Sequence, residues 1–255
     1  MLAKLGRLSA ELERLKRSGV TAVPGALDPR WFERLKKAAQ IDEAAAKKGA
    51  PPAPTPSPVT HASPPVNDTL ELIAAEVAGC VACGLAATRT NTVPGEGEPQ
   101  ARLLFVGEAP GADEDAQGRP FVGRAGKLLA DMIVAMGLTR ERVFIANVLK
   151  CRPPGNRDPL PDEVAACEPF LRRQIARIRP DYICALGRIS AQALLKTKTP
   201  IGQLRGEFHD YHGTPLLATY HPAYLLRNPG EKKEAWKDLQ LLMARMGLPV
   251  PPQRS

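Results

Sequence analysis

The sequence predicts an α/β protein: a three-layer α/β/α domain with a four-stranded parallel sheet, preceded by a mostly flexible N-terminal extension. Three observations carry that expectation. After residue 67, short apolar runs alternate with longer amphipathic helical patterns, the rhythm that parallel βαβ units produce. The 255 residues, 44% of them hydrophobic, suffice for one sizeable core. Residues 49–66, "GAPPAPTPSPVTHASPPV", hold seven prolines and nothing from which to build a core. They read as a stiff linker between an extension over 1–48 and the domain over 67–255.

The elements follow in chain order. In the extension, Leu2, Leu5, Leu8, Leu12 and Leu15 fall at helical spacing, and Asp28 and Pro29 suit the N-cap and first position of a second helix. The extension reads as a basic, weakly folded segment; a sharper reading makes it a docking or DNA-guiding arm. In the domain, "RLLFVG" (102–107) is the first strand and "GRAGKLLADMIVAMG" (123–137) a helix. "RVFIANVL" (142–149) is the second strand. Pro161 opens a long helix that must accommodate Pro169. "DYICALG" (181–187) and "TPLLATYHP" (214–222) are the third and fourth strands, and "KKEAWKDLQLLMARMG" closes as an amphipathic helix.

Charge and cysteine content narrow the function classes. The net charge of +8 hints at an anionic partner, yet the first 66 residues carry 11 of the 35 basic and 6 of the 27 acidic side chains. The domain itself is thus barely basic, and charge alone does not argue for nucleic acid. No run approaches the ~18 to 20 apolar residues of a membrane span, and the charged N-terminus is unlike a secretory signal. A cytoplasmic location is expected, where five cysteines are thiols or metal ligands rather than a disulfide framework.

Open parallel sheets bind ligands beyond the carboxyl ends of their strands. Three of the four strands deliver a polar residue there: Glu108, Asn147 and His221; the remaining one delivers Gly187, which leaves room. The loop "GEAPGADEDAQGRPFVGRAG" matches neither a Walker A motif nor a dinucleotide fingerprint. Asp113, Glu114 and Asp115 read mostly as a solvated turn. Phe121 is either a core aromatic or a flat seat for a planar ring. Asn147 offers donor and acceptor side by side, suited to a base edge, or closes a loop. Cys80 and Cys83 form a C-x2-C pair that Cys151 and Cys167 complete to four; the spacing permits tetrahedral zinc or an iron–sulfur cluster. Cys184 reads as a small buried hydrophobe.

The motifs "GEAPGADEDAQGRPFVGRAGKLL", "NVLKCRPPGNRDPLPDEVAAC" and "HPAYLLRNP" resemble the family 4 uracil-DNA glycosylases, the iron–sulfur branch of their superfamily. The resemblance runs from about residue 67 to about residue 247. It implies a [4Fe–4S] cluster on Cys80, Cys83, Cys151 and Cys167. It further implies a uracil pocket lined by Gly107, Glu108 and Ala109, with Phe121 stacking on the ring, Asn147 reading its edge and His221 facing the carbonyl beside the cleaved bond. Lys150, Arg152, Arg157 and Arg227 are the candidate phosphate contacts, and Leu225 and Leu226 a candidate wedge. The partner implied is uracil-containing DNA. A monomer is expected, with the N-terminal extension free to meet a repair or replication protein. A non-catalytic iron–sulfur DNA-binding adaptor or sensor is the alternative; a set of Glu108, Phe121, Asn147 and His221 favours the enzyme.

Overall fold

The computed structural model describes residues 68–250; the extension over 1–48 and the linker over 49–66 lie outside the described residues. Four parallel strands form the centre of the sheet: β2 (Leu103–Gly107), β3 (Phe144–Asn147), β4 (Tyr182–Leu186) and β6 (Thr214–Thr219). Two short strands widen it to six. β1 (Glu96–Gly97) pairs antiparallel with β3, and β5 (Phe208–Tyr211) antiparallel with β6, giving the order β1-β3-β2-β4-β6-β5. The sequence does not announce these two: one is two residues long, and the other, "FHDY", is largely polar. Short edge strands of this kind limit further pairing.

Each central strand is buried on both faces, so its residues read as a continuous apolar run. Their side chains alternate between two cores. Leu103, Phe105, Ile145, Cys184 and Leu217 face one core, which α3 (Arg124–Ala135), α7 (Pro222–Arg227) and α8 (Lys232–Met246) cover through Leu129, Ile133, Leu225, Leu239 and Met243. Leu104, Val106, Ala146, Ile183 and Ala218 face the other, covered by α4 (Pro161–Ile178) and α5 (Arg188–Leu195) through Leu171, Ile175, Ala191 and Leu194. This is the expected three-layer arrangement.

Register brings the strand ends level. Gly107 pairs with Asn147, and Leu186 with Thr219, so one rim collects the residues that follow each strand. α4 begins at Pro161, where a missing N–H costs nothing, and continues through Pro169 on an exposed turn. A helix not expected from the sequence, α1 (Leu70–Ala78), is capped by the Thr69 hydroxyl accepting from Leu72 N at 3.1 Å. Arg173 on α4 holds its base through Asp68 at 2.6 Å and also pairs with Glu76.

Candidate active site

Beyond β2, β3 and β6 lies a cleft of about 370 Å³, large enough for a single flat heterocycle with room for water. Glu108, Phe121, Asn147 and His221 line it together, with Ala109 on the wall. The sequence-derived set therefore converges, although these residues span more than a hundred positions. Gly107 sits beneath them: a Cβ there would stand 2.3 Å from Asn147 Oδ1 and 2.5 Å from Phe121 Cζ. Only glycine lets the amide and the ring approach each other this closely.

Asn147 is 1% exposed, and its Oδ1 is buried with no hydrogen-bond partner among the described residues. An orphaned buried acceptor costs roughly 1–3 kcal/mol. Its position beside the cleft marks a place where a donor from a ligand belongs.

Phe121 is held in a left-handed backbone conformation, φ 51°, and is 6% exposed. Several groups enforce that pose. Arg140 donates to the Phe121 carbonyl at 3.1 Å and to the Pro120 carbonyl. Gly126 permits close packing, because a Cβ there would meet the Phe121 carbonyl oxygen at 2.0 Å. Glu114 accepts from Val122 N at 2.9 Å, from Gly123 N at 3.0 Å and from Gly111 N at 3.1 Å, closing the loop around the ring. The ring lies 5.6 Å from that of His221, tilted by 32°.

Glu114 and its neighbour correct the solvated-turn reading. Asp115 is 4% exposed and accepts from Thr90 N at 2.9 Å and Asn91 N at 3.3 Å. Asp113 alone is exposed. The two inward carboxylates satisfy backbone donors that would otherwise be stranded, while α2 (Ala112–Gln117) carries them at its N-terminal turn.

His221 caps α7: its Nδ1 accepts from Ala223 N at 3.1 Å. That bond leaves the proton on Nε2, where it can be donated into the cleft. Burial, aided by Arg227, pushes the His221 pKa down to about 4, so the ring is neutral at pH 7. Gly187, φ 92°, makes space for it; a Cβ there would lie 2.8 Å from His221 Cβ. Glu108 is half-buried, and burial raises its carboxyl above the ordinary value, with Asp158 adding to the rise and Arg188 opposing it. Arg188 in turn pairs with Asp158 at 2.5 Å.

The basic candidates separate. Arg227 is exposed on the cleft wall. Arg157 also lines the cleft but is engaged with Glu163 at 2.6 Å, and Arg152 donates to Asn156 at 2.7 Å. Lys150 must be corrected: it is 1% exposed and cannot reach a phosphate. The chain dives into the core through Val148 and Leu149, and Lys150 Nζ follows, donating to the Asn147 carbonyl at 2.9 Å and to Gln174 Oε1 at 2.7 Å. Leu225, 1% exposed, packs in the core and cannot act as a wedge; Leu226 is half-buried.

The four cysteines also converge. Cys80, Cys83, Cys151 and Cys167 line one small pocket with Val77, Leu85, Leu149 and Phe170, while Cys184 is buried in β4 away from them. All are free thiols. Three of the four sulfurs receive N–H donors: Ala82 N to Cys80 at 3.5 Å, Arg89 Nη1 to Cys151 at 3.3 Å and Lys150 N to Cys167 at 3.2 Å. Burial raises the Cys151 thiol and pushes Cys167 up to about 11, so thiolates in this apolar pocket need a cationic centre. Among the described residues no three Cys, His, Asp or Glu side chains stand ready to share one ion. Four sulfurs around one pocket, with amide and guanidinium donors behind them, fit the donor set of an iron–sulfur cluster.

Fold and cleft define a class: parallel-sheet α/β proteins that hold a flat polar heterocycle at their strand ends. Within that class the chain belongs to the Uracil DNA glycosylase superfamily, whose model matches residues 94–240, and to its type-4 family. A type-4 uracil-DNA glycosylase of Saccharolobus solfataricus is 50% identical over 182 residues, covering 68% of this chain and 84% of that protein. One from Thermotoga maritima is 48% identical over 164 residues, 64% of this chain and 85% of that protein. A type-5 uracil-DNA glycosylase of Pyrobaculum aerophilum is 33% identical over 155 residues, 54% and 68% of the two chains.

Proposed function

We propose that this protein excises uracil from DNA by hydrolysing the N-glycosidic bond, leaving an abasic site. One observation carries the reading: the unpartnered Oδ1 of Asn147, buried between Phe121 and the cleft, is the acceptor a uracil N3–H requires. The uracil must first be flipped out of the helix. Phe121 then stacks on its face, and Asn147 accepts from N3–H and donates to O4. Cytosine presents the reverse pattern, and each mispaired buried group costs roughly 1–3 kcal/mol. In this reading the methyl of thymine is excluded by a close wall, the Phe121 ring or the Gly107–Ala109 loop.

As the C1′–N1 bond breaks, its electron pair passes to the uracil ring and gathers on O2. Neutral His221, donating through Nε2–H, stabilises that charge more than it stabilises the bound base; one such donor is worth about 2.7–4 kcal/mol. Glu108 orients the water whose oxygen bonds to C1′, accepts the proton that water gives up, and faces the positive charge developing on the sugar. A pocket-shaping role for Glu108 predicts only a small rate effect on substitution. Phosphate contacts fall to Arg152, Arg157 and Arg227.

Cys80, Cys83, Cys151 and Cys167 hold a [4Fe–4S] cluster in this reading, a group that ties chain segments together rather than reacting with the base. The expectations of a cytoplasmic monomer, and of a repair or replication partner for residues 1–66, belong to the same proposal and rest on the sequence. Among the described residues, no helix is long and apolar enough to cross a membrane.

The test is cleavage of an end-labelled oligonucleotide carrying one uracil, single-stranded and opposite guanine or adenine, with alkali revealing abasic sites. A uracil-dependent break that His221→Ala and Asn147→Ala abolish is expected. DNA binding without a break on any uracil substrate would overturn excision in favour of the adaptor reading.

A further inference from the structure

We infer that Lys150 is a positioning residue, which fixes the base-reading amide of Asn147 and joins it mechanically to the cysteine pocket. The inference rests on the uracil-excision reading and deepens it. Lysine is among the side chains least often fully buried, and here it is 1% exposed in a protein with ample surface for it. Burying its amine is tolerable only when the donors are used. Each polar group of Lys150 is used, and each on a different neighbour.

Its Nζ donates to the carbonyl of Asn147 at 2.9 Å. That carbonyl lies at the last residue of β3, where the ladder with β2 is ending. The second bond from Nζ goes to Gln174 Oε1 on α4 at 2.7 Å, and Gln174 Nε2 continues to the Pro94 carbonyl at 2.7 Å. The backbone of Lys150 receives Val93 N at 2.8 Å and donates to Cys167 Sγ at 3.2 Å. The strand end that aims the amide is thereby pinned from below to α4, to the segment before β1 and to a cysteine sulfur. An amine and an ammonium both supply the two donors, so the anchor does not depend on the charge state of Lys150.

A purely structural role predicts that removing the anchor loosens the whole cleft. A positioning role predicts something narrower: recognition of the base weakens while recognition of the DNA backbone does not. Lys150→Met fills much the same volume without a donor, and Gln174→Leu removes the second bond while leaving every cysteine and the Lys150 backbone intact. In cluster-loaded full-length protein, affinity for free uracil would be measured by calorimetry, affinity for an abasic-site oligonucleotide by anisotropy, and iron by visible absorption and chemical assay.

For Lys150→Met we expect uracil binding weakened by at least roughly tenfold, with abasic-DNA affinity within about twofold of the unaltered protein and iron retained. Gln174→Leu should shift in the same direction by a smaller factor. Unchanged uracil affinity overturns the inference, as does an equal loss for uracil and abasic DNA. Should Lys150→Met fail to fold or lose iron, Gln174→Leu decides by the same two criteria. An unaltered protein that neither binds uracil nor cuts uracil-containing DNA overturns the functional reading itself. One that does both, with variants matching it, removes the anchor alone.

Discussion

At the scale of single residues, Gly107 beneath the cleft and His221 on its wall each yield a distinct expectation. Gly107→Ala would drive a methyl into Asn147 Oδ1 and the Phe121 ring. Overpacking of this kind costs about 1–3 kcal/mol, and here the displaced groups are those proposed to grip the base. We expect single-turnover excision to fall roughly ten- to hundredfold, with far-UV circular dichroism unchanged. His221 gives a pH signature. The folded protein holds it near 4, whereas the exposed imidazole has a value of 6.5. Between those values the unfolded chain is protonated and the folded chain is not, so this contribution is complete above pH 6.5 and is lost as the pH falls toward 4. His221→Gln lacks that titration. Its melting temperature, followed over the same range beside the unaltered protein, should decline less steeply. Residue identity made Glu108, Asn147 and His221 legible in the sequence, because polar side chains at strand ends are conspicuous. Lys150 misled for the same reason: a lysine in a proline-rich loop looks solvated, and only the path of the chain into the core reveals otherwise.

At the scale of elements, the four central strands were readable because burial on both faces leaves unbroken apolar runs, and α3, α4 and α8 because their apolar positions recur at helical spacing. The elements that the sequence conceals have a physical explanation as well. β1 is too short to show a period, β5 is half-exposed at an edge, and α1 is held through Glu76 by Arg173, 97 positions further along the sequence. The acidic loop before Phe121 is the most instructive case. Its charges look solvated in sequence, but Glu114 satisfies three backbone N–H groups in the fold. Glu114→Ala should strand those donors, each worth about 1–3 kcal/mol when buried, and release the loop that presents the ring. A drop in melting temperature is expected together with weaker uracil binding. A variant with full stability and undiminished uracil affinity would falsify the assignment of this loop as the seat of Phe121.

At the scale of the whole molecule, the cysteine pocket joins parts of the chain that the sheet does not. Cys80 and Cys83 come from the segment after α1, Cys151 from the loop after β3, and Cys167 from the middle of α4. If a cluster holds them, Cys80→Ser should lower iron content and the melting temperature together, and bleach the absorption expected near ~400 nm. Gradual chelation of the unaltered protein should show loss of uracil affinity tracking loss of iron, since Lys150 N bonds to Cys167 while its side chain holds Asn147. Removal of residues 1–66 should leave excision on short oligonucleotides intact, because the proposed base-binding residues, Glu108, Phe121, Asn147 and His221, all lie beyond them. The proposed base-reader, its inferred anchor and a candidate cluster ligand thus occupy positions 147, 150 and 151 of one short segment. Such a stretch cannot gain or lose a residue without dislocating two sites at once. Its length should therefore drift far less among descendants of this gene than the loops on either side, and a single-residue deletion within it is the smallest lesion that disables both.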